Sequence, residues 1–334
     1  MLSCLGHRPS RLRAGENIRS LMRETRLAKE DLIMPLFFKE GARSERIPSM
    51  PGIEKMGADL MLKEIESLDN AGIKAVLLFG AHGRKDGGAS AAFDEDSTFH
   101  KAIRRIKDNS DIVVIADVCV CAYTDHGHCG ILRPQGRKAA KPQVRIDNGK
   151  TLDVLAKIAL SYAACGADMV APSAMADGQV RAIREALDCG KFSQTAIMSY
   201  SAKYASAFYG PFRDIYDSSP VSGDRRSYQM DTGNGREALR EAALDIEEGA
   251  DIVMVKPALA ALDVIKAVKE EFGMPVAAYS VSGEYSMVKA AAEKGWLDEE
   301  ASALEILTSI KRAGADIIIT YWAKEAASWI GSRR

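Results

Sequence analysis

The chain has 334 residues, 47% hydrophobic and 27% charged, with 45 Lys+Arg against 46 Asp+Glu for a net charge of −1. That is the profile of an ordinary globular protein, and near-neutral charge supplies no global pull toward nucleic acid or an anionic membrane. No run of about 18 uncharged apolar residues occurs, so no membrane span is expected. The opening MLSCLGHRPSRLR breaks into Arg and Pro before an export signal could form, and six cysteines are too few for a disulfide scaffold. A reduced, cytoplasmic setting is expected.

Residues 1 to about 30 hold Arg8, Arg11, Arg13, Arg19, Arg23, Arg26 and Lys29 around scattered Leu12, Ile18, Leu21, Met22 and Leu27. Such a segment cannot build a core, so an N-terminal arm is expected to precede a catalytic body over 31–334. About eight short apolar runs follow, near 33–38, 75–79, 112–118, 168–172, 195–200, 251–256, 275–279 and 316–321. They lack period-two alternation, which predicts strands covered on both faces. Helices are predicted between them near 58–71, 97–109, 150–165, 178–189, 234–248, 259–272 and 301–313, several closed by glycines at 72, 166, 190, 249 and 314. Eight strand–helix units predict an α/β fold, a (β/α)8 TIM barrel, with a doubly wound open sheet as the alternative. Residues 204–235, rich in Gly, Pro and Ser, form a long candidate lid.

In a barrel the reactive groups sit where strands end. Lys256 closes the apolar run IVMVK, and Lys203 follows the fifth run. Burial and a second cation both disfavour a charged amine, so two lysines at one mouth would depress each other's pKa and become carbonyl nucleophiles. The bland alternative pairs each with a carboxylate such as Asp117. The loop VCVCAYTDHGHCG spaces Cys119, Cys121 and Cys129 as C-x-C-x7-C. Thiolates favour zinc: three ligands leave an open catalytic position, and His126 or His128 as a fourth would close a structural site. Arg213, Arg225 and Arg226 in the lid suit an anionic substrate. Ser173 and Ser282 lack a nucleophile elbow and are candidates for binding substrate oxygens. His7, His82 and His100 carry no motif.

These residues sit in longer strings: RETRLAKEDLIMPLFF, MPGIEKM, DVCVCAYTDHGHCG, KIALSYAACGADMVAPS, MSYSAKYASAFYGPFRD, GDRRSYQMD, GADIVMVKP, YSVSGEY and ADIIITYWA. Together they resemble the δ-aminolevulinic acid dehydratase (porphobilinogen synthase) family over nearly the whole chain. The resemblance implies a TIM barrel with an N-terminal arm, assembled as a homo-octamer. It implies condensation of two molecules of 5-aminolevulinate into porphobilinogen with loss of two waters, a step of tetrapyrrole and haem synthesis.

By the same resemblance Lys256 holds the propionate-side substrate as a Schiff base and Lys203 the acetate-side one. Cys119, Cys121 and Cys129 match the zinc-binding type of the family. Arg213, Arg225 and Gln229 match positions that hold the acetate-side carboxylate, Ser282 and Tyr321 those that hold the propionate-side one. Asp117 and Ser173 match active-site positions near the lysines, and Glu237 matches a residue that in some members organises an allosteric magnesium. The chain departs from the family at PSAMADG, with Ala174 and Ala176 where aspartate and methionine are common, and at Ala122 in place of a proline. Two other readings compete. A class I aldolase needs one Schiff-base lysine and no thiolate zinc, and a non-catalytic zinc-binding assembly protein needs no lysine at all.

Overall fold

The computed structural model describes residues 7–80, 84–133, 145–216 and 218–332. A short helix α1 (Glu16–Leu21) precedes β1 (Leu32–Phe38), β2 (Glu45–Arg46), β3 (Glu54–Met56), α2 (Ala58–Ala71) and β4 (Ala75–Phe79). Next come α3 (Thr98–Asn109), β5 (Val113–Val118), α4 (Asn148–Ala164), β6 (Met169–Pro172), α5 (Gln179–Cys189) and β7 (Ala196–Lys203). The chain continues through α6 (Gly210–Arg213), α7 (Gly235–Glu247), β8 (Ile252–Lys256), α8 (Leu262–Phe272), β9 (Val276–Tyr279), α9 (Ser282–Glu293), α10 (Glu299–Ala313), β10 (Ile317–Ile319) and α11 (Ala323–Ser332).

The strand order β10-β9-β8-β7-β6-β5-β4-β1 closes on itself, because β10 also pairs with β1 in parallel, Leu32 opposite Ile318 and Ile33 opposite Ile319. Closure removes the open-sheet alternative and establishes the (β/α)8 barrel. β1 is buried at every position and β4, β6 and β8 at every position but their first, which is what strands lined inside by side chains and covered outside by helices require. β2 and β3 form a small antiparallel flap beside the end of β1.

Glycine closes the helices largely as expected. Gly72 (φ 96°) and Gly314 (φ 119°) cap α2 and α10 in the left-handed conformation. Gly190 does not: its φ is −76°, and the left-handed residue is Lys191 at φ 68°. Packing explains Gly190, since a Cβ there would come within 2.4 Å of Leu160 Cδ1. The helices α9 and α11 are not among those predicted. The first turn of α9 reads as loop because it alternates small and polar residues, yet Ser282, Glu284 and Tyr285 are all buried.

The arm meets the barrel at its C-terminal end, where Leu27 packs against the core and Lys29 Nζ donates to the Ala71 carbonyl at 3.0 Å. Neither Pro9–Arg13 nor α1 contains a buried residue, and Leu12 is 54% and Leu21 74% exposed. Among the described residues no helix is long and apolar enough to cross a membrane.

Candidate active site

Lys203 and Lys256 end neighbouring strands and stand in register across β7 and β8. Both ammonium groups lie at the mouth of the barrel and are buried. Four rings surround Lys256 Nζ: Tyr279 at 4.1 Å, Tyr200 at 5.1 Å, and Tyr209 and Phe212 at 5.2 Å from their centroids. Burial first, and the charge of Lys203 next, push Lys256 down to about 7, against the pull of Asp117. Lys203 Nζ donates to the Ser173 carbonyl and lies 5.3 Å from the Tyr200 centroid. Neither lysine pairs with a carboxylate; Asp117 acts on both at longer range. Burial raises Asp117 to about 6 against those two cations, and its Oδ1 makes no hydrogen bond.

Beside the lysines the strand β5 runs out into the cysteine loop. The sulfurs of Cys119, Cys121 and Cys129 lie within 4.8 Å of one another, all buried and unoxidised, with Cys119 and Cys121 3.4 Å apart. Three thiolates around a tetrahedral zinc at the usual Zn–S length sit about 3.8 Å apart, so the trio fits such an ion. Hydrogen bonds from Cys119 and Cys121 hold Cys129 well below the usual thiol range, helped by Arg225 and Lys203. Cys121, drawn down by Cys119 but pushed up further by Cys129 and burial, stands at about 12.

Neither histidine of the loop joins the trio. The imidazole of His128 is committed to the lid, Nδ1 to the Tyr228 hydroxyl at 3.1 Å and Nε2 to the Ser222 carbonyl at 2.9 Å. His126 Nδ1 accepts the His128 amide. Three protein ligands and no fourth is the arrangement of an open metal site.

The lid lies down over the mouth. Tyr216 donates to the carbonyls of Phe38 and Phe79, and Arg225 donates to the carbonyls of Gly127 and Ser218. Tyr228 oxygen accepts the Cys129 amide at 3.2 Å, which ties lid to cysteine loop. Inside this closure several buried polar atoms lack protein partners: Nε of Arg213, Nε of Arg225, and both amide atoms of Gln229. Unpaired buried polar atoms of this kind cost about 1–3 kcal/mol each, and the nitrogen donors among them suit an anionic ligand. Arg226, grouped with them by sequence, instead faces solvent beside Asp224 at 3.8 Å.

On the opposite side Ser282 Oγ accepts the Phe212 amide at 3.1 Å and lies within 3.3 Å of the Phe208 carbonyl, so it anchors the base of the lid. Tyr321 shares a hydrogen bond with Tyr279 at 3.1 Å, which leads toward Lys256. Glu237 lies apart, half-buried on the first turn of α7 and bonded by Asn234 Nδ2 at 2.8 Å. Among the described residues only the cysteine trio forms a cluster of metal-ligating side chains. His100 is a core residue, held between Ser97 and Ser161 hydroxyls at 2.7 and 2.8 Å, while His82 lies outside the described residues.

Sequence reasoning missed Tyr200, Tyr209, Tyr279 and Phe212 as the walls of the Lys256 pocket. Tyr200 alone was within reach: it lies three residues before Lys203 on a strand. The others converge only through closure of the barrel and descent of the lid.

A sequence profile of delta-aminolevulinic acid dehydratases matches residues 6–329. The chain is 50% identical over 329 residues to the delta-aminolevulinic acid dehydratase of Halalkalibacterium halodurans, covering 98% of each. It is 53% identical over 319 residues to that of Methanothermus sociabilis, covering 95% of this chain and 97% of the other. A solved delta-aminolevulinic acid dehydratase (porphobilinogen synthase) from Toxoplasma gondii, in complex with its reaction product porphobilinogen, superposes with a TM-score of 0.93 at 44% identity over 98% of this chain and 92% of that one. With the barrel, the paired lysines and the thiol trio already in place, these similarities settle the relationship: the chain belongs to the delta-aminolevulinic acid dehydratase family.

Proposed function

We propose that this chain is a porphobilinogen synthase that joins two molecules of 5-aminolevulinate into porphobilinogen, releasing two waters, in tetrapyrrole and haem synthesis. The observation that carries the reading is the in-register pair Lys203 and Lys256, one of them held near pKa 7 in an aromatic pocket. An amine that is half neutral at pH 7 adds to a ketone, and loss of water leaves a Schiff base. Lys256 would carry the propionate-side substrate in this way and Lys203 the acetate-side one. A class I aldolase leaves the second lysine without a task, and an assembly protein leaves both without one.

The substrate carboxylates divide between the two sides of the mouth. Arg213, Arg225 and Gln229 offer the unpaired donors inside the lid to the acetate-side carboxylate. Ser282 and Tyr321 serve the propionate-side one, which would take over hydroxyl bonds now made within the protein. Ser173 lines the Lys203 side, and Asp117, raised to about 6 between the two amines, can hold a proton for exchange with them.

The metal held by Cys119, Cys121 and Cys129 is zinc in this reading, since three buried sulfurs suit it and not magnesium. Bound there, zinc would supply Lewis acidity to a substrate oxygen or amine. An allosteric magnesium at Glu237 would need further ligands from a neighbouring subunit.

The chain is read as an arm (1–30), a catalytic barrel (31–334) and a lid (204–235), assembled into a homo-octamer in the cytoplasm through exposed arm residues Leu12, Ile18, Leu21 and Met22. No nucleic-acid or membrane partner is proposed. Incubation of the purified protein with 5-aminolevulinate and zinc, followed by colorimetric detection of pyrrole, tests the activity; no pyrrole under any metal condition would refute it.

A further inference from the structure

Behind the Schiff-base lysine lies a carboxyl group that the reading above does not use. Glu284 sits in the first turn of α9, and its side chain is fully buried. Its Oε1 accepts the amide of Leu259 at 3.0 Å, and its Oε2 has no hydrogen-bond partner. The amides of Ala258 and Val281 also approach it, as does the Ser280 hydroxyl. A carboxylate at a helix N-terminus is favoured by the unpaired amides there, yet complete burial is costly for it. Nothing about covering a barrel demands a Glu at this position.

What Glu284 joins is specific. The turn Pro257–Ala258–Leu259 begins directly after Lys256, so the Leu259 bond fixes the chain three residues beyond the amine-bearing residue. On the other side α9 begins with Ser282, whose hydroxyl holds the base of the lid through Phe208 and Phe212. Tyr209, on that same base, donates to the Lys256 carbonyl at 3.1 Å. Lys256, Ser282 and the lid base thus meet around one buried carboxyl group.

We propose that Glu284 is a positioning residue that sets the Lys256 amine against the Ser282 side of the substrate pocket by tying the turn after β8 to the start of α9. The inference rests on the assignment of Lys256 as a Schiff-base residue. Loss of the tie would misplace the amine by a fraction of an ångström to an ångström, enough to slow its attack on a ketone by about ten- to a hundredfold.

The test is borohydride trapping of 5-aminolevulinate on the intact protein, with peptide mapping of the adduct rate at each lysine. Wild-type protein that traps nothing at Lys256 refutes the Schiff-base assignment, independently of Glu284. Given wild-type trapping, Glu284→Ala is expected to slow adduct formation at Lys256 at least about tenfold while leaving Lys203 within about twofold. Glu284→Gln, which keeps the Oε1 acceptor, should recover Lys256 to within about threefold of wild type. Unchanged trapping at Lys256 in Glu284→Ala, or equal slowing at both lysines, overturns the proposal, since a purely structural role would not single out one amine. Should Glu284→Ala fail to fold, Glu284→Asp, which withdraws the carboxylate by one methylene, carries the same comparison.

Discussion

Lys203 and Lys256 face each other across adjacent parallel strands, with the ring of Tyr200 lying 5.3 Å from one ammonium nitrogen and 5.1 Å from the other. The ring takes the place of water or a carboxylate beside both cations. Lys256, displaced first by burial, also feels the charge of Lys203 through a poorly screening medium, and the two together push it down to about 7.

That arrangement has a pH signature. Adduct formation at Lys256 should rise with pH through a midpoint near 7, because only the neutral amine attacks. Removal of the neighbouring charge in Lys203→Met should move this midpoint to higher pH, since less repulsion then opposes protonation. Trapping rates measured between pH 5.5 and pH 9 in both proteins check it; a midpoint that stays in place means that burial alone sets the amine.

The lid arginines are predicted to separate sharply. Arg225 is buried with an unpaired Nε, whereas Arg226 is exposed beside Asp224. A charge-assisted hydrogen bond contributes about 1.5–3 kcal/mol, so Arg225→Ala should raise KM for 5-aminolevulinate by roughly ten- to a hundredfold. Arg226→Ala should leave KM within about twofold. Equal effects from the two would mean that the lid recognises charge at its surface and not within the closed site.

The difference between these neighbours shows what could be read from sequence alone. Strand positions were legible because buried parallel strands are unbroken apolar runs: Ala75–Phe79 and Ile252–Lys256 stand within a residue of where apolarity placed them. The lysines and cysteines were legible because reactive groups at strand ends interrupt that apolarity. Which arginine turns inward was not legible from residue type or spacing, and only the family resemblance set Arg225 apart, since Arg225 and Arg226 differ in how an irregular loop folds over Gly127 and Ser218. Helix α9 was missed for a related reason. Its first turn packs against the lid base, where a Cβ on Gly283 would come within 2.5 Å of the Phe208 carbonyl, so contact with another segment selects small residues there.

Tyr228 offers a test of the metal site that leaves every thiol intact. Its oxygen accepts the Cys129 amide and its hydroxyl meets His128 Nδ1, which holds the loop that presents the third sulfur. Groups that orient metal ligands typically change affinity by about 10–100-fold when removed. Tyr228→Phe should therefore weaken zinc binding by that order in competition with a chromophoric chelator. Wild-type protein stripped of zinc should lose activity without melting, and regain it when zinc is restored. Cooperative unfolding on chelation would instead assign the ion a structural role.

Asp245 on α7 accepts a hydrogen bond from Ser199 on β7 at 2.6 Å, and burial raises it from 3.8 to about 6. Between those values the folded chain retains a proton that the unfolded chain has lost, so this group's contribution to stability falls as pH rises through the interval. Asp245→Asn lacks the titration. Its stability relative to wild type should improve by roughly 1–3 kcal/mol from pH 4 to pH 6. Denaturant midpoints at the two pH values measure the change, and a pH-independent difference between the proteins would show that Asp245 stays ionised.

The arm poses a question of assembly. Leu12, Ile18, Leu21 and Met22 are 54%, 39%, 74% and 44% exposed on short elements that bury none of their own residues. Helices already wrap the barrel, leaving little surface on the same subunit for the arm to cover. A neighbouring subunit is the better surface, and exchange of arms between two copies satisfies both at once in a closed homo-oligomer. Deletion of residues 1–25 should accordingly reduce the proposed octamer to smaller species in light scattering, while far-ultraviolet circular dichroism of the barrel persists. If the lid depends on a neighbour's arm for closure, KM should rise in the truncated protein more than kcat falls. An unchanged mass after truncation would relocate the interface to the outer surface of the barrel, where Met287 on α9 and Trp296 just after it are 49% and 73% exposed.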